Sequence, residues 1–135
     1  MKIHGILIDV SGERGTVKEV DVNEGDLDEF YKILDCYTID IVQRTINGKV
    51  FDIVCDDEAL LKDDPIPSAV RRDGKVMLVG NLFICNHYKE YLTSLSKEDC
   101  KFILNNVAVI SMARPHEKKV KTHPVVLNTE YVRIK

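Results

Sequence analysis

The residue pattern predicts an α+β fold, a mostly antiparallel sheet built from hairpins with two short helices packed on it. Three observations carry that expectation. Asn47-Gly48 separates two β-rich runs, Ile39–Ile46 and Lys49–Cys55, and this dipeptide supplies the positive φ angles that a type I′ hairpin turn needs. Asp26 precedes an apolar-periodic segment and is followed three residues later by Glu29, and Ser96 and Asp99 repeat the arrangement. Both are capping-box patterns that start helices.

The elements follow in order. Ile3–Val10 reads as a strand, Ser11–Gly15 as a turn, and the alternating Thr16–Val22 as the returning strand. In the first helix Leu27, Phe30, Tyr31 and Leu34 recur at the spacing of one helical face and are expected to form a core-facing stripe. The Asn-Gly loop then sets a register. Ile46 faces Lys49, Arg44 faces Phe51, Val42 faces Ile53 and Asp40 faces Cys55. On the other face Thr45 meets Val50, Gln43 meets Asp52, Ile41 meets Val54 and Ile39 meets Asp56. Both faces are apolar in the middle, so the hairpin is expected to be covered on both sides, by a helix on one and by strands or a partner subunit on the other.

Beyond the hairpin, Asp56–Leu61 suits a short helical turn. Lys62–Ser68 reads as an extended loop, because Pro65 and Pro67 drive their predecessors away from helix. Arg72–Lys75 is a turn, with Val76–Val79 and Leu82–Cys85 strand-like on either side of Gly80-Asn81. The second helix points Cys100, Ile103 and Leu104 inward and ends near Asn105-Asn106. Val107–Met112 and Val125–Ile134 read as closing strands, joined by a basic loop with Arg114, His116, Lys118, Lys119, Lys121 and His123. No repeat or linker interrupts the chain, and a single domain over residues 1–135 is expected.

Composition narrows the function classes. The 135 residues are 44% hydrophobic and 30% charged, an ordinary globular balance. A net charge of -3 and a pI near 5.8 argue against general nucleic-acid binding, which favours basic surfaces. The apolar start at Ile3–Ile8 is too short for a membrane span. Cys36, Cys55, Cys85 and Cys100 are far apart and form no CxxC pair, so they read as reduced thiols of a cytoplasmic protein.

Motif chemistry is sparse. The histidines His4, His87, His116 and His123 show no zinc-like spacing with cysteine, and neither a metal nor a cofactor is expected. A phosphate loop, a dinucleotide fingerprint and a serine-nucleophile elbow are all missing. Cys85-Asn86-His87 places a thiol and an imidazole on one strand face, but burial tendency makes Cys85 a core residue. Enzymatic chemistry is therefore not expected. The acids Asp52, Asp56, Asp57, Glu58, Asp63 and Asp64 lack the alternating oxygen pattern of a calcium loop and read as a solvated face.

Three segments in fixed order carry a resemblance. They are Phe51–Leu61, the loop Pro65–Ala69, and the apolar strand Leu78–Asn86 with its Gly80-Asn81 opening. Together, over roughly residues 27–95, they resemble an uncharacterised domain family common on phages, plasmids and other mobile elements. This sequence departs from the commoner pattern at Cys55 and Ile66, where that family often has asparagine. The resemblance implies a role in host–virus conflict or an accessory function, in the cytoplasm of the host cell.

The expected ligand-contact residues are Arg44, Asp52, Pro65, Pro67, Ser68, Arg71, Arg72 and Asn81. Polar Asp52 opposite Gln43 must bond a neighbour or a ligand if buried. Arg44 can stack on a ring or hold a phosphate. A stiff proline loop beside two guanidiniums suits an anion. The leading expectation is a non-enzymatic protein that sequesters a small anionic ligand, a nucleotide immune signal, as a counter-defence. The alternative is a protein–protein module that blocks or adapts a host complex through its acidic face, and a metal-dependent nucleotide hydrolase ranks third. A basic segment from Ser111 to Lys135 against an acidic middle also allows a homo-oligomer.

Overall fold

A computed structural model describes residues 1–12, 14–62, 65–112 and 120–133. The strands are β1 (Lys2–Asp9), β2 (Thr16–Asn23), β3 (Ile39–Ile46), β4 (Lys49–Asp56), β5 (Pro67–Val70), β6 (Val76–Val79), β7 (Leu82–Tyr88), β8 (Tyr91–Thr93), β9 (Val107–Met112), β10 (Lys121–Val126) and β11 (Thr129–Tyr131). Helix α1 (Leu27–Leu34) joins β2 to β3, a 3-10 turn (Ala59–Leu61) follows β4, and α2 (Lys97–Leu104) follows β8.

Among the described residues the strands make two sheets. The larger runs β11-β3-β4-β7-β1-β2, with β8 paired to β7, and is antiparallel throughout. The smaller runs β6-β5-β10-β9, and its β5–β10 contact, Val126 against Ala69, is parallel. The molecule is mostly antiparallel sheet with two helices, as expected, and more dominated by sheet than hairpins alone imply.

The β3–β4 register matches the expectation at every pair from Ile39–Asp56 to Ile46–Lys49. Asn47 and Gly48 take φ of 50° and 87°, the left-handed values that the two-residue loop requires. The cover on both faces is also present. Phe51, Ile53 and Cys55 of β4 join a core with Ile6, Ile8 and Ile84, with Ala69 and Val126 of the smaller sheet, and with Cys100 and Ile103 of α2. Val54, Phe83 and Cys85 face the other way, onto Phe30 and Leu34 of α1. There the rings of Phe30 and Phe83 meet edge to face at 5.6 Å. Gly5 permits this packing, since a Cβ at that position would lie 2.6 Å from the Phe83 ring and 2.4 Å from the Ile84 carbonyl oxygen.

Both helices start where the caps place them. The Asp26 carboxylate accepts from the Glu29 amide at 3.2 Å, and the Ser96 hydroxyl accepts from the Asp99 amide at 3.0 Å. The inward stripes are shorter than expected. Leu27 is 52% and Leu104 37% exposed, because each helix has only eight residues and its terminal leucine lies at the rim of the core.

Four further expectations are corrected. Residues Pro67 and Ser68 belong to β5 rather than to a loop. Proline is tolerated there because it is the first residue of the strand. The closing strand expected over Val125–Ile134 is two strands in different sheets, broken at Asn128 with φ 57°. The Asn47 amide bonds the Asn128 carbonyl at 2.9 Å and the Leu127 amide bonds Asn106 at 2.7 Å, which fixes this crossover. In the acidic segment Asp52 and Asp56 are buried rather than solvated. Of the basic loop, Lys121 and His123 lie in β10 and His123 is buried, whereas Arg114, His116, Lys118 and Lys119 fall outside the described residues, as do Asp63 and Asp64. No helix among the described residues is long and apolar enough to cross a membrane.

Candidate functional site

Two helical turns, roughly 12 Å at 1.5 Å per residue, cover only part of the face on which α1 lies. Beyond α1, Ile41 and Val50 are 47% and 43% exposed, and a groove of ≈ 670 Å³ opens, lined by Gln43, Arg44, Asp52, His87, Tyr91 and Tyr131 among others. Strand pairing assembles it. Gln43 is opposite Asp52, and Asp52 is opposite Cys85. His87, two residues on, projects from the same face as Cys85. Lys89, with φ 55°, turns the chain so that β8 brings Tyr91 to the groove. On the far edge Tyr131 pairs with Arg44, whose guanidinium carbon sits 4.6 Å from the centre of the tyrosine ring.

Asp52 is only 4% exposed, so its carboxylate needs partners. Its Oδ2 lies 2.5 Å from His87 Nδ1, and its Oδ1 lies 3.5 Å from Gln43 Nε2. A carboxylate accepts, so Nδ1 is the donor in this pair, and Nε2 is the ring nitrogen left for another partner. The His87 side chain is 41% exposed, which opens that nitrogen to the groove. Gln43 Nε2 also approaches Nδ1 at 3.4 Å, but two donors do not bond each other. Arg44 donates to the Gln43 carbonyl at 2.7 Å, and its Nε is buried without a hydrogen-bond partner among the described residues. The groove thus combines a fixed acid–imidazole pair with two phenol rings and a guanidinium. Such a set can stack an aromatic ring and hold an anion.

Cys85 lies beneath this floor at 0% exposure. Burial, reinforced by the Asp52 charge, pushes its thiol up to about 12, so it is no nucleophile at neutral pH.

The eight residues expected to contact ligand do not form one site. Arg44 and Asp52 share the groove. Pro65 and Asn81 share a separate cavity of ≈ 370 Å³ with Ser11, Lys62 and Lys121. There Asn81 works as a tie, its Oδ1 accepting from the Val10 amide at 2.8 Å and its Nδ2 donating to the Ile33 carbonyl at 3.2 Å. In the same cavity Asp56 Oδ2 meets Lys62 Nζ in an ion pair at 3.0 Å. Ser68 is fully buried and donates to the Leu78 carbonyl at 3.3 Å, one residue after Pro67 opens β5. Arg71 Nε lies 3.5 Å from Glu130, and Arg72 donates to Asn47 Oδ1 at 2.6 Å. These last four residues line neither space.

His87, Lys89, Tyr91 and Tyr131 line the groove and were not among the expected ligand-contact residues. The alternation of Cys85 and His87 on one strand carried a signal for the first. Nothing local announced the tyrosines, because β8 and β11 are three-residue strands.

Residues 1–108 match the model of a family described as a domain of unknown function, DUF3846, which extends beyond both ends of the stretch at 27–95. No curated protein and no solved structure matches the chain.

Proposed function

The chain belongs to the DUF3846 family, and from its groove we propose that it is a non-enzymatic binding protein for a small anionic ligand with an aromatic ring, of nucleotide type. The single observation that carries this reading is the Asp52–His87 pair at 2.5 Å on the floor of the ≈ 670 Å³ groove. A buried carboxylate bonded to a half-exposed imidazole costs desolvation that a purely apolar face would avoid. Held this way, His87 presents its Nε2 edge to a ligand in a fixed orientation. Tyr91 and Tyr131 supply stacking surfaces, and Arg44 and Lys89 supply positive charge at the rim beside Glu90. The ligand class that fits is a base with a phosphate, and sequestration of a nucleotide immune signal by a protein of phage or mobile-element origin follows as its biological form.

The test is direct. Purified protein is incubated with a panel of cyclic and adenylated nucleotides, desalted and heated, and the released material is chromatographed. Stoichiometric recovery of intact ligand supports the reading. Chemically altered ligand overturns its non-enzymatic part, and the absence of any bound nucleotide overturns the ligand class.

A second reading, a contact surface for a host protein, has its own observation. Tyr37, Leu60 and Leu61 are 92%, 75% and 82% exposed, beside exposed Asp57 and Glu58. The Asp57 amide bonds the Thr38 carbonyl at 3.3 Å, which brings Tyr37 into the same region. Reversing the charge of Asp57 and Glu58 abolishes activity in cells if this surface, and not the groove, is the working one.

A further inference from the structure

Away from the groove, three side chains from three elements converge. His4 of β1 and Glu19 of β2 project from one face of the N-terminal hairpin, and Cys100 of α2 packs onto that face. One ring nitrogen of His4, a Glu19 carboxylate oxygen and the Cys100 sulfur all lie within 4.8 Å of one another. His4 Nε2 is 2.9 Å from Glu19 Oε1, and His4 Nδ1 is 2.7 Å from Asp21 Oδ1.

We propose that His4 Nε2, Glu19 Oε1 and Cys100 Sγ form a zinc-binding site, with Asp21 orienting the histidine. The donor set is the first argument. Imidazole, carboxylate and thiolate together suit zinc, whereas hard cations take oxygen ligands alone. Geometry is the second. In a tetrahedral site with bonds of about 2.0–2.3 Å, ligand atoms stand roughly 3.4–3.6 Å apart, so His4 and Glu19 separate slightly while Cys100 moves in. The third is Asp21. Histidines that bind metal generally donate their other ring N–H to a carboxylate, which fixes the tautomer and aims the free nitrogen at the ion, and the His4–Asp21 contact has that form.

A protonated His4 held between Glu19 and Asp21 satisfies those three residues without a metal. Cys100, packed into the core from α2, turns its buried sulfur to the same carboxylate and so stands as a third donor beside His4. The side chains of His4 and Glu19 are 37% and 47% exposed, so an ion has a path in, and water completes the fourth position. On binding, the Cys100 thiol proton and the proton shared by His4 and Glu19 leave to solvent, and no electrons change hands. The ion then staples α2 to the β1–β2 hairpin.

The test uses the full chain stripped with a chelator, titrated with zinc against a chromophoric competitor, and separately loaded with cobalt as a spectroscopic probe. The expected result is one zinc per chain, a tetrahedral cobalt spectrum with a thiolate charge-transfer band, and a rise in Tm on adding zinc. His4→Ala abolishes binding. Asp21→Asn weakens it about 10- to 100-fold. Cys100→Ser removes the charge-transfer band, and Cys36→Ser leaves it in place. Because Cys100 is buried and its variant can fail to fold, Glu19→Gln at the exposed position is the second reading, and it weakens zinc binding with an unchanged circular-dichroism spectrum. Failure to bind one equivalent, or binding that survives both His4→Ala and Glu19→Gln undiminished, overturns the site.

Discussion

The carboxylate of Asp52 holds Nδ1 of His87 at 2.5 Å across the join of β4 and β7. This contact fixes an oriented imidazole on the part of the sheet face that α1 leaves open. Replacing Asp52 by Asn keeps the shape but removes the charge and frees the imidazole to take either tautomer. Nucleotide affinity at the groove is expected to fall about tenfold or more, the worth of a hydrogen bond to a charged group at roughly 1.5–3 kcal/mol. His87→Ala and Arg44→Ala are expected to do the same. Calorimetric titration of the wild type and the three variants measures this, and unchanged affinity in all of them removes the groove from consideration.

Gly5 stands where the ring of Phe83 crosses β1. A methyl group there meets ring carbons at 2.6 and 2.8 Å and the Ile84 carbonyl oxygen at 2.4 Å. The carbonyl belongs to a central strand and cannot yield, so Gly5→Ala overpacks the core. The expected loss is about 1–3 kcal/mol or more, read as a lower midpoint in urea unfolding. Phe83→Leu in the same chain should recover part of it by clearing the ring.

How much of this was legible in the sequence depends on the range of each constraint. The β3–β4 register follows from two residues, Asn47 and Gly48, whose positive φ angles a short loop demands, and every pair then falls into place. Helix starts were legible for the same local reason. The groove was not. Asp52 and His87 are 35 positions apart, and Tyr131 arrives only because Asn128 carries the chain from one sheet to the other. Ser68 was singled out with the proline loop and Asn81 with the Gly80-Asn81 opening of the apolar strand, and the structure uses both side chains to bond the backbone. A polar residue in a buried position advertises that it has a partner, but sequence does not say which.

His123 makes stability depend on pH. It is 3% exposed in β10, and neither ring nitrogen has a hydrogen-bond partner among the described residues. Burial, with the Lys121 charge adding to it, holds the imidazole below its ordinary value of 6.5. As pH falls the unfolded chain takes up the proton first, so the folded state loses ground. The contribution is therefore complete above about pH 6.5, declines between there and the lower folded value, and changes no further below that. His4 acts in the opposite sense. Its bonds to Glu19, then Asp21, raise it, so its smaller, solvent-screened contribution is lost as pH rises through its folded value. His123→Leu isolates the first effect. Urea unfolding across pH 5 to 8 should show a flatter acid side in the variant (about pH 5–6.5), and an unaltered slope would place the titration on another group.

Asn81 separates structural polarity from ligand contact. Its side chain joins the end of β1, through the Val10 amide, to the end of α1, through the Ile33 carbonyl, and it is 5% exposed. Asn81→Ala leaves a buried amide and a carbonyl without partners, at about 1–3 kcal/mol for such a group. The expected outcome is a clear drop in Tm while nucleotide affinity stays within a factor of two (about 0.4 kcal/mol) of wild type, because Asn81 lines the cavity beside Pro65 and not the groove. Thermal melts and titrations on the same preparation decide it. A large loss of affinity with the Tm retained would move the ligand from the groove to the Pro65 cavity, where the proline loop meets Lys62 and Lys121.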